Sequence, residues 1–448
     1  MRLLFGYSIK ALLLTLALPV TLWAQDEKIS YGRPNNWRPY DQTGINVFET
    51  KKDNTITSDG LRFRIGAGFT QQFQNLKHTN KGADQFEGAN KLYPLASGFM
   101  TAQANLFMDV QLADGIRLNV TTYLSSRHHN EAWVKGGYIQ FDKLPLKGKI
   151  WDDIMNVTTI KVGHMEINYG DAHFRRSDGG QTLYNPFMES YIMDAFATEI
   201  GGEVYVQKYG LFGMVGVTNG MMKGNVDSVS KTAQDDNTKR SPSLYLKGGF
   251  DKNISDNIRV RLSGSYYHNG SSAASGLTLY GGDRSGSNYQ NVMEKVPAGA
   301  ALPASTGIAF SGRFNPGFTK KVDAYMINAF LKVHGLELFG TYENAKGRSK
   351  TETDNRRMYQ YAGDLVYRFG WPENLFAGVR YNKVTGQLAG FTEDVKVDRF
   401  AAAGGWFITK NVLLKGEYVI QKYKSFPAAD YRSTGKFNGY VVEAVVGF

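Results

Sequence analysis

Apolar and polar residues alternate one by one along most of this chain. From residue 61, Leu61, Phe63, Ile65, Ala67 and Phe69 share one face, and Arg62, Arg64, Gly66, Gly68 and Thr70 share the other. The next stretch sets Ala104, Leu106, Met108 and Val110 against Gln103, Asn105 and Asp109. Ile116, Leu118 and Val120 then alternate with Arg117, Asn119 and Thr121, and Ile258, Val260 and Leu262 with Arg259, Arg261 and Ser263. A period of two belongs to strands, not helices. The pattern predicts about 16 strands, starting near residues 61, 98, 115, 133, 157, 197, 210, 242, 256, 322, 335, 356, 374, 395, 411 and 438. Short connections, such as 113–115 and 334–335, alternate with long polar ones, such as 77–96, 221–240 and 270–321.

A water-soluble sandwich also alternates, but its apolar face needs a core. Arg and Glu interleaved over the whole length suit a wet lumen better. After residue 24 no apolar run approaches the roughly 20 residues of a transmembrane helix. Only helices and closed barrels satisfy every backbone group in lipid. The expected fold is therefore all-β: a transmembrane antiparallel β-barrel over residues 61–448, wide enough at about 16 strands to enclose water.

The two ends carry export features. Arg2 and Lys10 flank the apolar run 11–22, and Ala24 offers a small-residue cleavage site, so residues 1–24 read as a cleavable signal peptide. Residues 25–60 are polar and aperiodic and are expected to form a periplasmic or lumen-lining extension. At the other end Tyr440, Val442, Ala444, Val446 and Phe448 alternate up to a terminal aromatic residue. This resembles the C-terminal strand read by the outer-membrane barrel-assembly machinery.

Composition narrows the function classes. The chain has no Cys, which excludes thiolate metal sites, a Cys nucleophile and disulfides. Its net charge is +11, and loss of Arg2 and Lys10 leaves +9. The basic residues are scattered through the alternating segments rather than gathered in runs, which argues against nucleic acid. The seven His residues form no HExxH. His164 and His173 lie near Ser177 and Asp178 in sequence, but no GxSxG accompanies them. No enzyme activity, cofactor or metal is expected.

Three segments carry a family resemblance: residues 61–74 (LRFRIGAGFTQQFQ), residues 160–204 with INYGDAHFRR and NPFMESYIMDAFATEIGGEV, and the terminal GYVVEAVVGF. Together they resemble the outer-membrane porins of the phosphate-selective type, in the form found in Bacteroidota. The resemblance implies a water-filled channel in the bacterial outer membrane for passive diffusion of small hydrophilic solutes. It implies outer-membrane lipid and lipopolysaccharide as surroundings, small anionic or neutral solutes as cargo, and the homotrimer such porins often form. In porins of this kind the loop after the fifth strand folds inward and narrows the lumen. Here that loop offers Asp171, Arg175, Arg176 and Asp178. With the lumen-facing Arg62, Arg64, Arg117, Arg259 and Arg261, these form the expected constriction and give a modest anion preference. The rival class is a structural or adhesive outer-membrane barrel with a blocked lumen.

Overall fold

The computed structural model describes residues 30–32, 37–50, 52, 60–81, 90–100, 102–124, 132–177, 181–220, 229–231, 236–283, 285–296 and 311–448. The segment read as a signal peptide lies outside them.

Sixteen antiparallel strands close into one barrel. They are β1 (Arg62–Thr79), β2 (Gln103–Ala113), β3 (Ile116–Leu124), β4 (Trp133–Phe141), β5 (Thr158–Glu166), β6 (Thr198–Lys208), β7 (Leu211–Thr218) and β8 (Ser243–Ser255). The remainder are β9 (Ile258–Asn269), β10 (Lys321–Val333), β11 (Leu336–Arg348), β12 (Arg356–Phe369), β13 (Leu375–Gly386), β14 (Val395–Thr409), β15 (Val412–Lys424) and β16 (Lys436–Gly447). Each pairs with its neighbour in sequence. Closure comes from β1 against β16, in register from Gly68↔Gly447 to Thr79↔Lys436. Closure removes both sheet edges, so the ladder leaves no row of unpaired backbone groups.

The expected strand starts agree with these bounds except near residue 98. There only Gly98–Phe99 pairs, against Phe73 and Gln74, before β2 begins at Gln103. The β4–β5 connection is a second departure. It carries a short helix, α1 (Lys149–Met155), which the strand alternation did not predict. The other turns at that end are tight: Asp114–Gly115 and His334–Gly335 reverse the chain with Gly115 at φ 70° and His334 at φ 51°. Left-handed backbone of this kind matches the twist of a two-residue hairpin.

The wall is inside-out relative to a soluble protein. Ile327, Leu338, Leu365, Val379 and Trp406 point outward and are exposed, while Arg261, Arg399, Glu343 and Glu443 point inward and are buried. Tyr367, Phe369 and Trp406 sit toward the short-turn end of the outer face, and Tyr325, Tyr361, Tyr381 and Tyr440 toward the long-loop end. An apolar band flanked by aromatic girdles is the surface a bilayer requires of a barrel.

Three segments fill the interior: 37–50, the loop 167–197 and the described part of 270–320. The loop after β5 leaves and re-enters the wall at one point, where Ile167 N donates to Ala197 O at 3.1 Å.

Candidate functional site

The lumen divides into a packed half and an open half. The packed half is built where β8–β16 meet the inward loop. Its wall side chains read the loop backbone. Lys415 Nζ donates to the carbonyls of Thr182, Asn185 and Phe187, each at 3.1 Å. Arg399 Nη1 donates to Ser190 O at 2.8 Å, and Arg380 Nη1 to Glu189 O at 2.7 Å. Gln360 brackets Met193 through its N–H (2.9 Å) and its carbonyl (2.7 Å). Asn382 Oδ1 accepts from Ile192 N at 2.6 Å. An irregular loop inside a barrel must satisfy its backbone this way, because it has no ladder of its own.

Asp171 anchors the loop entrance. Its carboxylate takes both Nε and Nη2 of Arg261 at 2.8 and 2.7 Å, Ser263 Oγ at 2.7 Å and the Lys247 ammonium at 2.7 Å. The chain can turn there because Gly170 sits at φ 73°, where a Cβ would also strike Met326 Sδ at 2.3 Å. Burial alone would raise the Asp171 pKa, but Lys247 and Arg261 hold it well below the usual carboxylate range. A depressed pKa means that the anchor is complete at neutral pH. Its contribution is lost only as pH falls below the ordinary carboxylate value and through the depressed one.

The loop arginines are inside the barrel beside carboxylates, Arg176 closely paired and Arg175 at longer range with Nε and Nη1 unbonded. Arg176 Nη1 and Nη2 each lie 2.8 Å from Asp194, which Arg313 also meets at 2.9 Å. Arg175 lies 3.5 Å from Glu337 and 3.8 Å from Asp364, with its guanidinium over the Phe339 ring. The void beside them is about 20 Å³, room for one water. Arg175 and Arg176 are therefore not a pair of open charges at a wide constriction, and neutralising them costs packing more than selectivity. The double variant R175A/R176A is expected to lose on the order of 3 kcal/mol of stability, because buried carboxylates lose partners. Its reversal potential is expected to stay near wild type. Thermal unfolding and bilayer selectivity measure the two effects.

The other expected residues distribute as follows. Arg261 holds Asp171 and also Glu49 at 2.7 Å. Arg259 makes a two-pronged pair with Asp251, both bonds 2.7 Å. Arg117 pairs with Asp142. Arg64 lies 3.8 Å from Asp109 and over the Tyr40 ring at 4.2 Å. Arg62, half-buried, sits at the base of β1 opposite Gln111. Asp178 lies outside the described residues. Ser177 Oγ bonds to Glu189 and Ser190, whereas His173 bonds to Asn168 at 2.8 Å, so the Ser and His are committed to different partners.

The open half is a cavity of about 270 Å³ against β2–β6. Of the residues expected at the constriction, Arg117 lines it. Its other cationic groups are Arg38, Lys52, Lys135 and Lys161, facing Glu49, Asp109, Asp142, Glu166 and Glu203. Lys161 projects from β5 and makes no ion pair among the described residues. It lies 5.3 Å from the Tyr138 ring and 4.8 Å from the Tyr205 ring. Glu203, its cross-strand neighbour, is met instead by neutral donors: Asn168 N at 3.1 Å, Tyr205 Oη at 2.6 Å and Tyr245 Oη at 2.9 Å. Strand parity places Lys161 in the lumen, but nothing in the sequence distinguishes it from the matched cations.

Residues 37–50, part of the segment expected as a periplasmic or lumen-lining extension, form the floor of this cavity. Tyr40 stacks on Phe107 at 4.2 Å. Arg38 donates to Gly44 O and Phe174 O at 2.9 and 2.8 Å and lies over Tyr184. Asn46 reaches Glu337, and Glu49 reaches Lys247 at 3.1 Å. Gln42 N ties the strap to Lys410 O at 2.8 Å. The strap thus crosses the mouth on the tight-turn side from β2 to β8–β11.

No family model matches the chain, and no curated protein matches it. Solved structures do. The anion-selective porin from Comamonas acidovorans aligns with a TM-score of 0.51 and 10% identity, over 87% of this chain and 100% of that one. The outer membrane channel DcaP of Acinetobacter baumannii gives 0.49 and 12%, over 88% and 99%. OmpT of Vibrio cholerae gives 0.48 and 9%, over 88% and 99%. The chain shares the porin barrel fold. These matches do not single out the phosphate-selective type that the sequence resembles.

Proposed function

We propose that this chain is an outer-membrane porin whose inward loop and N-terminal strap narrow a 16-stranded lumen to one lateral path for small hydrophilic solutes. The observation that carries the reading is the charged 270 Å³ cavity enclosed by an inside-out barrel. Charges of both signs line it, which suits hydrated solutes and not hydrophobic ones. Five cations and five carboxylates line it; Lys161, Arg38 and Lys52 meet carbonyls and rings, while Asp109, Asp142 and Glu49 each face a cation and Glu203 meets neutral donors, which leaves a slight positive tilt. That favours a modest anion preference and small anionic or neutral cargo. Burial pushes the Lys52 ammonium down to about 8. The preference is therefore expected to weaken as pH rises through that value, because Lys52 loses its charge. Reversal potentials in a salt gradient at pH 6 and pH 9 test both statements; cation preference at pH 6 would overturn the first. No reaction chemistry or cofactor is assigned.

Outer-membrane placement is supported by the apolar band and by the C-terminal strand, whose Phe448 ends exposed beside Ala67. A homotrimer fits the uneven wall. Nine-residue β5 and eight-residue β7, rising about 3.3 Å per residue at a tilt of some 40°, climb roughly 20–23 Å, short of the ~25 Å apolar band. Thirteen-residue β10, β11 and β15 clear it. The short side then suits contact with copies of the chain rather than lipid. The blocked-lumen reading draws on one observation, the dense filling of the β8–β16 half, and conductance decides between them.

A further inference from the structure

On the lipid-facing side of β11–β16 and β1, above the row of tyrosines at the long-loop end, the outward residues are predominantly basic. Three pairs of cations stand directly opposite each other on adjacent strands: Lys346↔Arg357, Lys396↔Lys424 and Lys422↔Lys436. Their alternation with buried neighbours puts them on the outer face: Lys396, Lys422 and Arg357 are exposed, and Val395, Gln421 and Arg356 are buried. Lys383 on β13 and Lys77 on β1 continue the stripe. Asp398 is the one carboxylate on this face of these strands, and it pairs with Lys424.

Like charges directly opposed across a strand pair lie about 5 Å apart and oppose folding. One such pair is unremarkable. Three on the same rim, across strands spaced about 4.8 Å, make a band roughly 30 Å wide, with Asp398 as its internal counter-charge and Asp323 of β10 opposite Lys346 at its edge. The low-wall side β2–β7 is different, showing Val134, Val204, Val206 and Val217 on its outer face. The cations are also placed by depth. They sit just beyond Tyr361, Tyr381 and Tyr440, where a membrane's headgroups begin. Lysines and arginines at that level each gain from anionic headgroups.

We infer that this rim is a docking surface for the phosphate groups of the outer-leaflet glycolipid, with the opposed lysine pairs each sharing a phosphate. The inference rests on the outer-membrane reading and specifies which lipid chemistry covers the tall wall. It also orients the barrel, with β11–β1 toward lipid and β2–β7 away from it.

The test is native mass spectrometry of the full-length protein with bis-phosphorylated lipid A and with its dephosphorylated form. Wild type is expected to retain the phosphorylated lipid on the order of a hundredfold more tightly than the dephosphorylated one. The variant K396Q/K422Q/K424Q/K436Q is expected to lose that preference, while a control, K208Q/K252Q at the opposite rim, keeps it. In neutral detergent without lipid the fourfold variant is expected to unfold at the same temperature as wild type or higher, because repulsion has been removed. A purely structural role would lower it. Equal retention of the two lipids by wild type, or unchanged preference in the fourfold variant, would overturn the inference. Bilayer conductance of the same samples reads the porin function separately, so a failure of one is not mistaken for a failure of the other.

Discussion

Replacing residues 169–195 by a short Gly-Ser turn is expected to raise single-channel conductance roughly threefold or more, since an unfilled barrel of 16 strands encloses an aqueous channel. The hairpin should survive the excision, because β5 and β6 pair from Glu166↔Thr198 onward and Ile167 already bonds to Ala197 where the loop departs. The wall side chains that now hold the loop would face water. Lys415 keeps Glu443 at 3.1 Å, Arg380 keeps Asp364 at 2.7 Å, and Arg261 keeps Glu49 at 2.7 Å. A charge left beside water costs far less than one left in a packed interior. Planar-bilayer recordings check the outcome. Unchanged conductance would mean that the strap 37–50 and the described part of 270–320 set the limiting resistance.

Lys161→Gln is expected to move selectivity most among single substitutions. A unit charge about 5 Å from a passing ion is worth about 0.8 kcal/mol even at the dielectric of water, a factor of about four before screening. Lys161 is bordered by Tyr138 and Tyr205 and makes no ion pair among the described residues, although Glu203 opposite it across the β5–β6 ladder offsets part of its field. The anion-to-cation permeability ratio is expected to fall roughly threefold, with assembly intact because the residue is only half-buried. Arg117 lines the same cavity but is bound to Asp142, and Arg117→Gln would leave that carboxylate exposed to the path. Its effect on selectivity should be as large only if Asp142 stays ionised. Reversal potentials of the two variants in one salt gradient separate these contributions.

The barrel was legible because strand alternation is a local property. Ile258, Val260 and Leu262 against Arg259 and Arg261 need no knowledge of the rest of the chain to be assigned to two faces. The inward course of the loop was legible too, by its length and by resemblance. What each lumen charge does was not, because its partner is remote. Arg261 meets Asp171 from 90 positions away, and Lys415 meets Thr182 from 233. Parity marks Arg117, Arg261 and Lys161 alike as interior cations, although the first two pair with carboxylates and the third rests on aromatic rings. Residues 25–60 read as a periplasmic or lumen-lining extension, but the course of 37–50 across the lumen was not legible, because its stacked rings, single backbone bonds and remote ion pairs leave no period in the sequence. The helix α1 was missed because seven residues are too few for a helical repeat to show.

The central claim, a filled barrel that still conducts along one side, is tested most directly by recording single channels of the full-length protein in planar bilayers under a salt gradient. Small ohmic channels with a weak preference for anions are expected. Silence at every voltage from correctly inserted barrels, with conductance appearing only once residues 169–195 are excised, would contradict it and identify the native lumen as sealed.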